Sequence, residues 1–244
     1  MSEQKPASNL RDLLSDVIEE TNAVLSSLSG VRICNDDAGY LWRWAYLYLV
    51  LAADLGDSAL VLADGSHNRA LLILRRAMFE HMARFRYYRQ HPDVARAHLD
   101  NFEPRAKLFQ KEIDDPGLTL VLDPAFDESK HNQKRLGFDV IVKALFPGKS
   151  DDWYRRFYTY PSSLIHGDAL VAMDMLEQNP DATFTVHATS RRQNTNEILY
   201  NYTAFFINLL LNATQQFGIG DDKATLLRRR LDAIRQALGI VADD

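Results

Sequence analysis

Two places in this 244-residue chain combine side chains that could do chemistry. The first is Arg76 and Glu80, four residues apart within a strongly apolar run. On a helix that spacing puts a cation and a carboxylate on one face, with Arg69, Ile73, Ala83 and Tyr87 near the same line. An exposed pair of this kind contributes only about 0.2–0.5 kcal/mol. Among apolar neighbours it is expected to be half buried, and a buried charge has to be paired or hydrogen-bonded. Arg76 and Glu80 are therefore expected to hold each other, another helix, or a ligand.

The second place is Tyr160–Pro161–Ser162–Ser163–Leu164–Ile165–His166–Gly167–Asp168. It joins hydroxyls, an imidazole and a carboxylate across a proline. Ser163 and His166 are three apart and would share a helix face. A serine hydrolase needs the strained Gly-x-Ser-x-Gly turn, which is absent. A metal site built from Glu80, His166 and Asp168 lacks the His-Glu-x-x-His type of ligand spacing. The plain alternative is a core histidine satisfied by one hydrogen bond.

Taken together, the Arg-x-x-x-Glu of an apolar helix (Leu74–Arg75–Arg76–Ala77–Met78–Phe79–Glu80) and the later Tyr-x-x-Ser-x-x-His-Gly (Tyr160 to Gly167) carry a family resemblance. The chain resembles, over roughly residues 41–211, an uncharacterised family of bacterial all-helical proteins, the domain of unknown function 5677. That family is grouped with the HEPN-like helical bundles of defence and toxin–antitoxin systems. The resemblance implies a cytoplasmic bundle in which Arg76, Glu80 and His166 converge, and no established activity. HEPN ribonucleases use an Arg followed by four to six residues and a His. Arg84 and Arg86 stand at that spacing from His91, but 20 arginines and seven histidines give such matches by chance. His166 has no arginine at that spacing; Arg156 lies ten residues upstream.

Two functional readings follow. In the first, the chain is a defence-associated, RNase-like protein working without a metal. His166 would move a proton at the ribose 2′-hydroxyl or the leaving oxygen, helped by Glu80. Arg76 would neutralise charge growing on the phosphate, and Ser163 or Tyr160 would position an oxygen, with Arg69 and Tyr87 lining the same face. In the second, Arg76, Glu80 and His166 form a buried clamp in a non-enzymatic module that binds a small anionic ligand or a protein, as a homodimer. No cofactor is indicated, since neither a Walker sequence nor Gly-x-Gly-x-x-Gly occurs.

The elements that must position these residues are helices. Leu10, Leu13, Leu14, Val17, Ile18, Val24, Leu25 and Leu28 form one buried stripe, with Ser8 or Asn9 as the cap and Gly30 as the stop. Asp36–Asp37 should open a second helix over 39–63. Arg43 and Asp54 bracket its most apolar ten residues, too few to cross a bilayer, so a core helix and no membrane are expected. The third helix should run from after Ser66 to His91, where Pro92 follows, and is apolar nearly all round. Further helices are expected over 93–113 with a break at Pro104, then 130–146, 150–158, from Pro161 to 176, 196–217 and 221–238. The segment 114–129 reads as irregular, and 183–186 as the one short strand. The expected fold is all-α: a single HEPN-like bundle of seven or eight helices, with 1–35 as an N-terminal helix, 36–217 as the core and 221–240 as the last helix.

Composition agrees. With 46% hydrophobic and 25% charged residues the chain can bury a core and is not disordered. Its net charge of −5 argues against a generic polyanion binder. The charge is uneven, however: ten basic and four acidic residues between Arg69 and Lys111 make that stretch basic within an acidic protein. One cysteine, Cys34, suits a reducing compartment, and the first residues lack the apolar core of a signal peptide, so a cytoplasmic location is expected.

Overall fold

The computed structural model describes residues 6–34, 36–65, 67–98, 136–162, 176–180, 183–186 and 195–238. Among them are α1 (Pro6–Ser27), α2 (Asp37–Asp64), α3 (Asn68–Gln90), α4 (92–98), α5 (Phe138–Leu145), α6 (Ser150–Tyr154), α7 (Thr195–Phe217) and α8 (Asp222–Leu238). The protein is thus an all-α bundle, with one small antiparallel hairpin of β1 (Leu176–Gln178) and β2 (Phe184–Val186). The strand expected near 183–186 is present as β2; its partner β1 has no alternation that would have announced it.

Local chemistry explains most boundaries. Asp36 caps α2 by accepting a 2.8 Å hydrogen bond from the Gly39 amide. Gly30 follows α1 at φ 79° and Gly218 follows α7 at φ 69°, the left-handed conformation that favours glycine. Helix α1 is described from Pro6, ahead of the expected caps Ser8 and Asn9, and proline suits the first turn of a helix, where no amide partner is needed.

Pro161 does not interrupt the chain as expected. Helical backbone continues through 160–162, and the disturbance appears one turn earlier as a π-turn, Arg155–Thr159. Proline lacks an amide and its ring crowds the carbonyl four residues back, so a widened turn accommodates it without ending the helix. The Ser162 hydroxyl then donates to the Tyr158 carbonyl at 2.5 Å. The segments 99–135 and 163–175, which hold the expected break at Pro104, the irregular connection and Ser163, His166, Gly167 and Asp168, lie outside the described residues.

One apolar core runs from Leu10 of α1 to Leu231 of α8. Helix α3 lies in the middle, against α2 and α7 on one side and against α5 and the π-turn on the other. Helix α2 is the one described helix long and apolar enough to cross a membrane, with a mean hydropathy of 1.5 over its best window. It packs here against α1, α3 and α7, burying Tyr40, Trp44, Tyr48, Leu49 and Ala52 among others. At Gly56 a Cβ would stand 2.8 Å from Ile18 and 3.1 Å from Phe206, so the missing side chain lets α1, α2 and α7 approach. On the other side of α3, Phe79 is fully buried and contacts the rings of Phe138, Phe146, Trp153, Phe157 and Phe205. This aromatic hub fixes the π-turn against α3.

Candidate functional site

Sharing a helix face does not make residues neighbours. Arg69 and Tyr87 are separated by eighteen residues of α3, roughly 27 Å at about 1.5 Å per residue. Tyr87 is buried at the C-terminal end, its ring tilted against His91 with centroids 4.3 Å apart. It lies some three turns beyond Arg76 and is not part of a site centred there.

Arg76 reaches the π-turn that precedes the second sequence feature. Its guanidinium lies over the Tyr158 ring at 4.4 Å, a cation–π contact across the α3–π-turn junction. Beside it, Arg75 lies over the Phe157 ring at 5.0 Å and donates to the Arg156 carbonyl at 3.1 Å. Arg75 is only 4% exposed. Burial first, and the charge of Arg156 with it, lower its pKa to about 10 against the opposing pull of Glu197 and Tyr160. It therefore stays charged at neutral pH. Tyr160 is close enough to Arg75 to influence it and is partly buried against the core.

The hydrogen bonding of these arginines is incomplete. Among the described residues, buried Nη2 of Arg69, Nε of Arg75 and Nε of Arg76 find no acceptor. A buried donor without a partner costs about 1–3 kcal/mol, more when it belongs to a charged group. Arg69 also stands in the first turn of α3, where the helix dipole opposes a cation and the turn itself holds no acidic residue.

Glu80 does not supply the missing acceptor. Its Oε1 receives Nη2 of Arg84 at 2.8 Å and Nε at 3.0 Å. Both side chains are mostly shielded, at 26% and 21% exposure. An acid four residues before a base is the favoured orientation on a helix, and Arg76–Glu80 is the reverse one. Of the outcomes open to Arg76 and Glu80, the described residues give each a different partner: an aromatic ring for one, a later arginine for the other.

Beyond Arg84 lies a buried polar group that the sequence reading passed over. The Tyr88 hydroxyl contacts Nδ1 of His98 on α4 and interacts with Arg84 and with Tyr48 of α2. Desolvation raises the pKa of both tyrosines. His81, next to Glu80, packs on the Tyr48 ring at 5.1 Å, and burial lowers its pKa to about 4. These residues were findable in part: Tyr48 falls at a core position of α2, and a hydroxyl buried there has to have a partner.

The rest of the neighbourhood is closed by ordinary pairs. Arg156 bonds Glu197 at 2.7 Å, and Thr195 bonds Asn68 at 2.7 Å, joining the N-terminal ends of α3 and α7. Among the described residues no three His, Cys, Asp or Glu side chains group as a metal site. The chance Arg–His matches at His91 dissolve in the structure: Arg84 holds Glu80, and Arg86 lies over Phe146 at 5.7 Å. What the geometry assembles is a cationic, aromatic-backed strip on the N-terminal half of α3, with donors left over.

Comparison of the chain with family models, with curated proteins and with solved structures returned no match.

Proposed function

We propose that this chain binds a phosphate-bearing ligand, an RNA strand, along the arginine strip of α3, and acts on it as a metal-independent, defence-associated RNase-like protein. The observation that carries the reading is the set of guanidinium nitrogens on Arg69, Arg75 and Arg76 that find no partner among the described residues. Guanidinium groups that bury donors without an acceptor are matched by phosphate or carboxylate oxygens. Their alternation with Tyr158 and Tyr154, whose rings are 5.0 Å apart, suits a ligand carrying both phosphates and bases.

In this reading Arg76 offsets charge developing on the phosphate, and Tyr160 sits at the edge of the strip to orient an oxygen. His166, with Ser163 near it, is the acid–base group the sequence supplies just beyond the described Ser162. Glu80 acts through Arg84 as a positioning residue, since its carboxylate is already engaged. That engagement favours a second reading, anion binding without turnover, in which the strip recognises a small anionic ligand and no base is available.

The test is incubation of the purified chain with single-stranded RNA in chelator at low salt, reading binding and strand scission separately. Binding should weaken at least tenfold in Arg76→Ala, and the salt dependence should flatten as one phosphate contact is lost. His166→Ala should bind normally and fail to cut. Binding without scission by the unaltered chain selects the second reading. Absence of binding to RNA and to inorganic phosphate alike overturns both.

A further inference from the structure

We propose that the outer face of α2 is a homodimer interface, on which two copies pack their α2 helices antiparallel about a two-fold axis at Val50. Helix α2 buries one side against α1, α3 and α7. Its other side is not the polar face that such a helix normally shows to water. Tyr46, Leu51 and Val61 stand exposed there, three of the six large apolar side chains that do so among the described residues, and Leu47 and Val50 are half-buried between them. Tyr46 is also held in place: its ring stacks on Trp42 at 5.7 Å, and Trp42 packs on Phe217 of α7 at 4.9 Å. An exposed aromatic ring already fixed by its neighbours suits an interface anchor, because little freedom is left to lose on binding.

The charges on this face choose the partner. Arg43, Asp54 and Asp57 lie among its apolar residues, and a face laid in lipid would not carry three charges. Their positions match a second copy of the same helix. Arg43 stands seven residues before Val50 and Asp57 seven after it; Tyr46 stands four before and Asp54 four after. On the helix the first pair falls within about 20° of the Val50 direction and the second within about 40°. An antiparallel two-fold axis through Val50 exchanges the members of each pair. It sets each Arg43 guanidinium opposite an Asp57 carboxylate, and each Tyr46 hydroxyl, as donor, opposite an Asp54 carboxylate, as acceptor. Both contacts then occur twice, as an isologous interface requires.

Among the described residues neither Asp54 nor Asp57 has an ion pair within its own chain. Arg43 lies over the Tyr40 ring at 5.2 Å, and five N–H donors let one guanidinium serve a carboxylate besides, so the pairing adds to that contact. At the axis Val50 meets Val50. Because α2 is backed by the core along its other side, the face is presented on a rigid element and the interface forms without rearrangement. It lies on a different helix from the arginine strip of α3. The proposal does not depend on RNA binding, so either can fail alone.

Sedimentation velocity of the full chain over a dilution series should show a monomer–dimer equilibrium. Arg43→Asp and Asp57→Arg should each weaken it about tenfold or more, and the two together in one chain should restore it, which a general loss of folding could not do. In a Cys34→Ser background, Val50→Cys should give a disulfide-linked dimer under mild oxidation. Val61→Cys should not, because its two copies would stand about 33 Å apart along the helices. A chain that stays monomeric throughout, with or without binding to phosphatidylcholine vesicles, overturns the proposal. So does a dimer indifferent to both charge reversals, or one that cross-links through Val61→Cys and not through Val50→Cys.

Discussion

The two halves of α3 treat the same residue type in opposite ways. In the C-terminal half, Arg84 is held by Glu80, and Arg89 donates to Asn212 at 2.5 Å and Gln215 at 3.3 Å. There the helix dipole also favours a cation. In the N-terminal half Arg75 and Arg76 lie against aromatic rings, and these two and Arg69 retain buried nitrogens without acceptors among the described residues. The first arrangement is what a stable helix needs. The second costs stability, and under the proposed function its incompleteness is where a ligand's oxygens would fit.

The largest effect should come from the hub that serves both halves. Phe79→Ala removes a fully buried ring shared by α5, α6, the π-turn and α7, and should destabilise by about 3–5 kcal/mol in urea unfolding. Next comes His81 in the paired half. Its pKa is lowered to about 4 from an ordinary 6.5, so the folded chain prefers it neutral. Its contribution is fully present above pH 6.5 and is lost as pH falls towards 4, by roughly 3 kcal/mol in all. Unfolding free energies at pH 7 and pH 4.5, compared with His81→Phe, isolate this part.

Smaller again is Glu80→Gln, which leaves the shielded Arg84 without its carboxylate and should cost about 1–3 kcal/mol. Smallest in stability is Arg76→Met. Replacing an unpaired, half-buried cation by an apolar chain of similar length should change stability by under about 1 kcal/mol, in either direction. The contrast sharpens if that same substitution removes anion binding while Glu80→Gln retains much of it. It breaks if Arg76→Met unfolds the chain and Glu80→Gln does not.

Particular residues explain how far the sequence could be read. The stripe from Leu10 to Leu28, the Asp36 cap and the Gly30 and Gly218 stops are local signals, and each is where periodicity and capping put it. The π-turn is a compromise between Pro161 and the aromatic packing of Phe157, and only the packed structure reveals it. Arg76 was legible as a buried cation, but its partner was not: orientation preference hands Glu80 to Arg84, and Tyr158 arrives from 82 residues away. Tyr87 was misplaced because a helical wheel discards distance along the axis. The Tyr48–Tyr88–His98 group joins three helices and has no spacing rule at all.

The account turns on whether the spare guanidinium nitrogens of α3 take up an anion. The direct measurement is a titration of the arginine Nε–H resonances with a short single-stranded RNA and, separately, with inorganic phosphate, assigned through Arg69→Lys, Arg75→Lys and Arg76→Lys. Saturable shifts confined to Arg69, Arg75 and Arg76, with Arg84 and Arg89 unmoved, are predicted. Shifts spread evenly over all arginines, or none at saturating ligand, would contradict it.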